Sequence, residues 1–202
     1  MSAIFVKRMQ VVAALLAGVA APAEAHLVET GFGAFYDGLA HVALTPSDVL
    51  VVVALALLAG QRGAGAARWA LLALPVAWMA GGALGALRPL DSSLPVLTTL
   101  TFCSAGALVA FNSKLSVGAV ATLSVIAGLL HGYVTGATMA PGGAGALAVA
   151  GSVTAVFGLF AILAAQVTTI DVAWGRIALR VAGSWVAAAG LLMMGWLARG
   201  SV

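Results

Sequence analysis

The chain has 202 residues, of which 63% are hydrophobic and only 7% charged, with a mean hydropathy of +1.14. A soluble domain carries about a quarter charged residues, so this chain cannot cover a water-facing surface and lipid must be its solvent. The net charge of +3 is made of single, scattered Lys and Arg, without the runs or aromatic-interleaved patches that nucleic acid calls for.

Residues 1–25 read as a secretory signal peptide. Lys7 and Arg8 form a basic start, residues 11–21 are apolar, and Ala23-Glu24-Ala25 is an A-x-A cleavage site. The apolar part is short for a membrane span, which needs about 20 residues. Cleavage after Ala25 leaves His26 as the mature N-terminus. Phe32, Phe35 and Tyr36 then suit a membrane–water interface, and the spacing predicts a short interfacial or re-entrant helix over 32–44. Thr45-Pro46-Ser47-Asp48 looks like a helix start: Thr45 or Ser47 can cap, Pro46 fits the first turn, and Asp48 suits the positive end of the dipole.

Six apolar spans follow, at about 47–60, 67–87, 94–111, 115–138, 143–168 and 174–197. The expected fold is all-α: a polytopic membrane bundle of six transmembrane helices forming one domain over 26–202. Counting Lys and Arg in the loops orients it. The loops after spans one, three and five and their flanks hold Arg62, Arg68, Lys114, Arg176 and Arg180, while the other side holds only Arg88 and Arg199. Both ends are then outside the cytoplasmic membrane, in agreement with the signal peptide. Gly81-x-x-x-Gly85 and Gly128-x-x-x-Gly132-x-x-x-Gly136 are small-residue contact motifs. They read as tight helix packing, or as room cleared beside His131. Cys103, the one cysteine, cannot form an internal disulfide and reads as a packing thiol.

Ionisable groups inside a membrane are expensive, so each needs a reason. Asp37, His41 and Asp48 lie close to one helical face, and the topology puts His41, Asp48 and His131 at a similar depth on the same side. Imidazole nitrogen with carboxylate oxygen suits a borderline divalent cation such as nickel, cobalt or zinc, and the lack of a thiolate argues against Cu(I). His26 adds a free α-amine beside its imidazole, a chelating pair that could capture metal outside and pass it to His41 and Asp48. The metal-site candidates are therefore His26, Asp37, His41, Asp48 and His131. The plainer alternatives are a hydrogen-bonded His131, a capping Asp48, and Tyr36 and Tyr133 as interface anchors. Asn112, Gln166 and Thr169 read as caps or hydrogen-bonding groups, and Arg88 and Asp91 as a surface pair. No P-loop, GxGxxG, HExxH or GxSxG is present.

The signal peptide, a mature start at His26, the GxxxxxDGLAHxxxxxxD stretch from Gly31 to Asp48 and the later LLHGYVTG helix resemble the HupE/UreJ family. That resemblance implies a small membrane protein of the nickel or cobalt permease type, associated with hydrogenase and urease. His41 matches the first His of the family's first-helix motif and Asp48 its Asp. Val49 stands where a second His would be, and His131-Gly132 matches the later His-Gly pair, so the chain looks like a divergent branch. The expected function is a secondary transporter of nickel or cobalt. The alternatives are a zinc-dependent intramembrane hydrolase with Asp37 as base, or a non-transporting metal-binding accessory subunit. The expected partners are a divalent metal ion and the lipid bilayer, with no nucleic acid and no cofactor beyond the transported Ni2+ or Co2+. A homo-oligomer is left open, and no enzymatic activity is expected.

Overall fold

In lipid every backbone polar group must be satisfied within its own segment or by a close neighbour, which favours helices. The computed structural model describes residues 30–88, 94–140 and 145–199, and these form seven helices and no strand. They are α1 (Ala34–Leu44), α2 (Pro46–Gln61), α3 (Ala64–Leu87), α4 (Pro95–Ala110), α5 (Val117–Met139), α6 (Gly145–Thr168) and α7 (Ala173–Arg199). The signal-peptide segment, His26, Glu29 and Asp91 lie outside the described residues.

The helices fall where the apolar pattern puts them, but six crossings do not follow from their lengths. Four of them, α3, α5, α6 and α7, are long and apolar enough to cross a membrane. Helices α1 and α2 qualify only together, as a pair bent by 73°. At about 1.5 Å per residue, the 16 residues of α4 reach about 24 Å, short of a hydrocarbon core of about 30 Å. The bend has a local cause. Proline disfavours the helical conformation in the residue before it, and Thr45 is extended (φ −97°, ψ 104°) ahead of Pro46. Thr45 makes no side-chain capping bond.

Helix α2 is the axis of the bundle. Its buried residues, from Val51 and Val52 through Leu55, Leu58 and Gly60, lie on every face, as expected of a helix that is apolar all round. It touches each of the other six helices. Around it stand three closely packed pairs, α3 with α5, α4 with α7, and α1 with α6. Each pair is joined through glycine. A Cβ at Gly132 would overlap the Trp78 carbonyl oxygen, and one at Gly136 that of Gly82. Reciprocally, Gly81 and Gly85 abut the carbonyls of Leu129 and Tyr133. Gly38 meets the Ala148 carbonyl and Gly151 that of Phe35, so α1 is docked on α6 backbone to backbone. Gly183 and Gly190 of α7 face Val109 and Cys103 of α4, which gives Cys103 the packing role expected of it. The glycine motifs are thus helix contacts. The outer surface carries exposed apolar side chains such as Trp69, Leu72, Trp174, Trp185 and Trp196, suited to lipid.

A methyl group added at these contacts should separate the helices. We expect Gly81→Ala to destabilise the detergent-purified protein by about 1–3 kcal/mol, the usual cost of overpacking. Gly158→Ala, where a Cβ meets nothing within 4 Å, should be neutral or slightly stabilising. Thermal unfolding of the two variants side by side checks this.

Candidate metal site

The bend before α2 brings the end of α1 over the start of α2, and α5 passes beside α2. Asp48, in the first turn of α2, is 4% exposed and His131 on α5 is fully buried. His131 Nδ1 lies 2.8 Å from Asp48 Oδ1. His41, in the last turn of α1, places Nε2 3.9 Å from Asp48 Oδ2. On the far side of the imidazole, Thr101 Oγ1 of α4 is 2.8 Å from His131 Nε2. The Trp78 ring of α3 lies against the same imidazole, centroids 5.7 Å apart and planes tilted by 31°. Three other helices, α2, α3 and α4, therefore hold one histidine, and α1 reaches the same carboxylate.

Proton arithmetic fixes one end of this chain of contacts. The Thr101 hydroxyl has one hydrogen and two acceptors in reach, Thr98 O at 2.7 Å and His131 Nε2 at 2.8 Å. When the hydrogen goes to Thr98, Nε2–H donates to Thr101. When it goes to the ring, Nε2 accepts. With Asp48 ionised, Nδ1–H donates to Asp48; the first arrangement then needs a ring protonated on both nitrogens and the second a neutral ring. Asp48 is thus not a helix cap, since its Oδ1 accepts from a ring 83 residues away.

The two sides of Asp48 differ. Oδ1 is closed by a short hydrogen bond. The 3.9 Å between Oδ2 and His41 Nε2 is too long for one. An ion bound to both atoms at about 2.0–2.2 Å would span up to about 4.2 Å, so this gap can admit a cation. The His41 side chain is 15% exposed, against 0% for His131, which makes His41 the outer member. Among the described residues no group of three His, Cys, Asp or Glu side chains stands ready to hold a metal ion. Two donors face the gap, and a third, His131, becomes available only by leaving Asp48 or Thr101.

The remaining candidates have other engagements. Asp37 Oδ1 accepts from the Thr30 amide at 2.7 Å and the Thr30 hydroxyl at 2.6 Å. These two donors fold the segment before α1 back onto its first turn. His26 lies outside the described residues. Tyr133 donates to the Arg88 carbonyl at 2.6 Å, tying α5 to the end of α3, and Tyr36 packs edge-on against Phe32 and Phe35. Asn112 accepts from Arg62, and Thr169 donates to Gln166 O.

Sequence reasoning missed Thr101 and Trp78. The signal for the first was the cluster Thr98, Thr99 and Thr101 in an otherwise apolar helix. Of the two others, Thr98 turns its hydroxyl back to its own helix, and Thr99 Oγ1 is enclosed without a protein partner. Trp78 had no signal beyond its place three residues before Gly81.

A buried carboxylate left without its partner is costly, about 3–5 kcal/mol. Asp48→Ala and His131→Ala should each destabilise the protein, and the double variant should lose less than their sum. We expect a coupling of about 1.5–3 kcal/mol, as for a hydrogen bond to a charged group, in SDS-titration unfolding. Additive losses would show that the pair is not formed.

No curated protein and no solved structure matches this chain. Residues 13–193 match the family described as HupE / UreJ protein. With that match over most of its length and an all-helical, membrane-like fold, the chain is a multi-pass membrane protein that belongs to the HupE/UreJ family.

Proposed function

We propose that the protein is a secondary transporter of a divalent transition metal, nickel first and cobalt second, across the cytoplasmic membrane. The observation that carries this reading is the open His41–Asp48 gap set over the closed Asp48–His131 pair. Two imidazoles and one carboxylate are the donor set for a borderline divalent ion. The family's accessory and transport character supports the same reading over an enzymatic one, and no ATP-binding motif is present to drive the step.

In this reading the ion first bridges His41 Nε2 and Asp48 Oδ2. Drawing the carboxylate toward the ion weakens its bond to His131, and the ring, keeping its proton on Nδ1, then offers Nε2 as the next ligand on leaving Thr101. A site that must be remade at each step binds weakly enough to let its cargo go. Val49 in place of a second histidine removes one nitrogen donor from the entry and lowers affinity there. His26, with its α-amine and imidazole, collects the ion outside. The bent pair α1–α2 counts as one crossing and the short α4 as another, giving six, with both chain ends outside. The grouping of Arg62, Asn112 and Arg176 around one cavity supports a single basic end, and that end faces the cytoplasm.

Uptake of radioactive nickel by cells and by proteoliposomes tests the transport reading. His131→Ala and Asp48→Asn should abolish uptake while the protein still inserts, and Tyr133→Phe should retain most of it. Insertion of one Ala between Ala25 and His26 moves the amine to another residue. It should weaken uptake at low metal and leave it near normal at saturation. Metal binding without uptake by the purified wild-type protein would instead establish a non-transporting accessory subunit.

Topology is tested separately. Reporter fusions after Arg62, Lys114 and Asp171 should report cytoplasm, and fusions after Asp91 and Gly142 the outside. The reverse pattern would place His41 on the cytoplasmic side and turn the direction of capture around.

A further inference from the structure

At the end of α2 away from Asp48, a cavity of about 340 Å³ is lined by Gln61, Arg62, Gly63, Asn112, Thr168 and Arg176, among others. No acidic side chain lines it. Among the described residues the ion pairs are those of Asp48, so neither Arg62 nor Arg176 is neutralised there. Arg62 is held in place, since its Nη2 donates to Asn112 Oδ1, and Asn112 is itself fixed in a left-handed turn at φ 50°. Gly63, the residue before α3, lines the same space, and α3 begins without a side-chain cap, so its positive end lies next to the cavity.

Two enclosed atoms in the lining narrow the ligand. Arg62 Nε, a donor, and Gln61 Oε1, an acceptor, are buried without a protein partner, although Gln61 Nε2 reaches Val109 O at 3.4 Å. Orphaned polar atoms of this kind call for an explanation. An anion alone would satisfy the arginine and repel the glutamine oxygen. A group with anionic oxygens and a hydroxyl satisfies both once the two side chains turn toward it.

We propose that this cavity binds a phosphate group that carries or adjoins a hydroxyl, supplied by a phosphatidylglycerol headgroup or by free hydrogen phosphate. Paired arginines match phosphate oxygens in geometry, and basic pockets between membrane helices are known places for anionic headgroups. The lining comes from the ends of α2, α4, α6 and α7, so an occupant pins four helix ends together. It binds at the opposite end of α2 from His41 and does not depend on the transport reading.

The test is thermal unfolding of the full chain in neutral detergent, with added phosphatidylglycerol or phosphatidylcholine, and with inorganic phosphate or sulfate at matched ionic strength. At ten times its Kd the true ligand should raise Tm by about 3–6 °C. Arg176→Gln, which removes one guanidinium from the cavity, should weaken apparent affinity about tenfold. Arg176→Lys, which keeps the charge without the fork, should weaken it less and serves if the first variant fails to fold. Arg199→Gln, at the other end of α7, should change nothing. A shift with phosphatidylglycerol alone assigns the site to lipid, and a shift with inorganic phosphate assigns it to the free anion. No shift from either source overturns the proposal. So does a shift matched by the phosphatidylcholine and sulfate controls, or one that Arg176→Gln keeps in full.

Discussion

Helices in a bilayer gain nothing by hiding apolar faces from lipid, because lipid is as apolar as they are. Close approach of backbone to backbone is what remains, and glycine permits it. Gly81 and Gly85 on α3 interlock with Gly132 and Gly136 on α5, Gly38 with Gly151 across α1 and α6, and Gly183 and Gly190 seat α7 on α4. The rest depends on this constraint. With the three pairs drawn tight, the space between them is the width of one helix, and α2 fills it with small and branched apolar side chains.

A core helix of that kind has no polar surface to lose, so the single carboxylate at its start is conspicuous. Asp48 is held by His131, and His131 is in turn held by Thr101 and flanked by Trp78. The ring is anchored on both nitrogens and against one face, and α3 carries both that face and the glycine contacts beside it. Packing and site are therefore one construction: the α3–α5 crossing that stabilises the bundle also fixes the plane of the imidazole.

Much of this was legible in the sequence. Apolar length and the polar breaks at residues 60–63, 112–114 and 168–171 located the helices within a few residues. The cost of burying charge singled out Asp48 and His131, and loop charge put them at one depth. Three things were not legible. Pro46 marks a break at Thr45, but the size of the bend, 73°, goes with the docking of α1 through Gly38 on Ala148, more than a hundred positions later. Crossing number depends on α4, whose 16 residues sit at the margin where length decides nothing. The orientation of Thr101 depends on helix rotation, and the near-uniform apolarity of α4 leaves no amphipathic stripe from which to read it. Asp37 shows the converse. Its spacing from His41 made it a candidate, but Thr30, too near in sequence to attract notice, takes its oxygen.

The central place of α2 also sets an order of events during synthesis. Asp48 leaves the ribosome 83 residues ahead of His131, on the order of 4–17 s at ordinary elongation rates. Throughout that interval the carboxylate lacks the His131 imidazole, and α2 lacks the helices made after that residue, α6 and α7. A charge without a partner stays at the water boundary. The start of α2 must therefore wait there, with α1 folded over it, until α5 arrives and draws Asp48 inward. Lengthening the connection between α3 and α4, which delays α5, would prolong that exposed state and hand more of the nascent chain to membrane quality control.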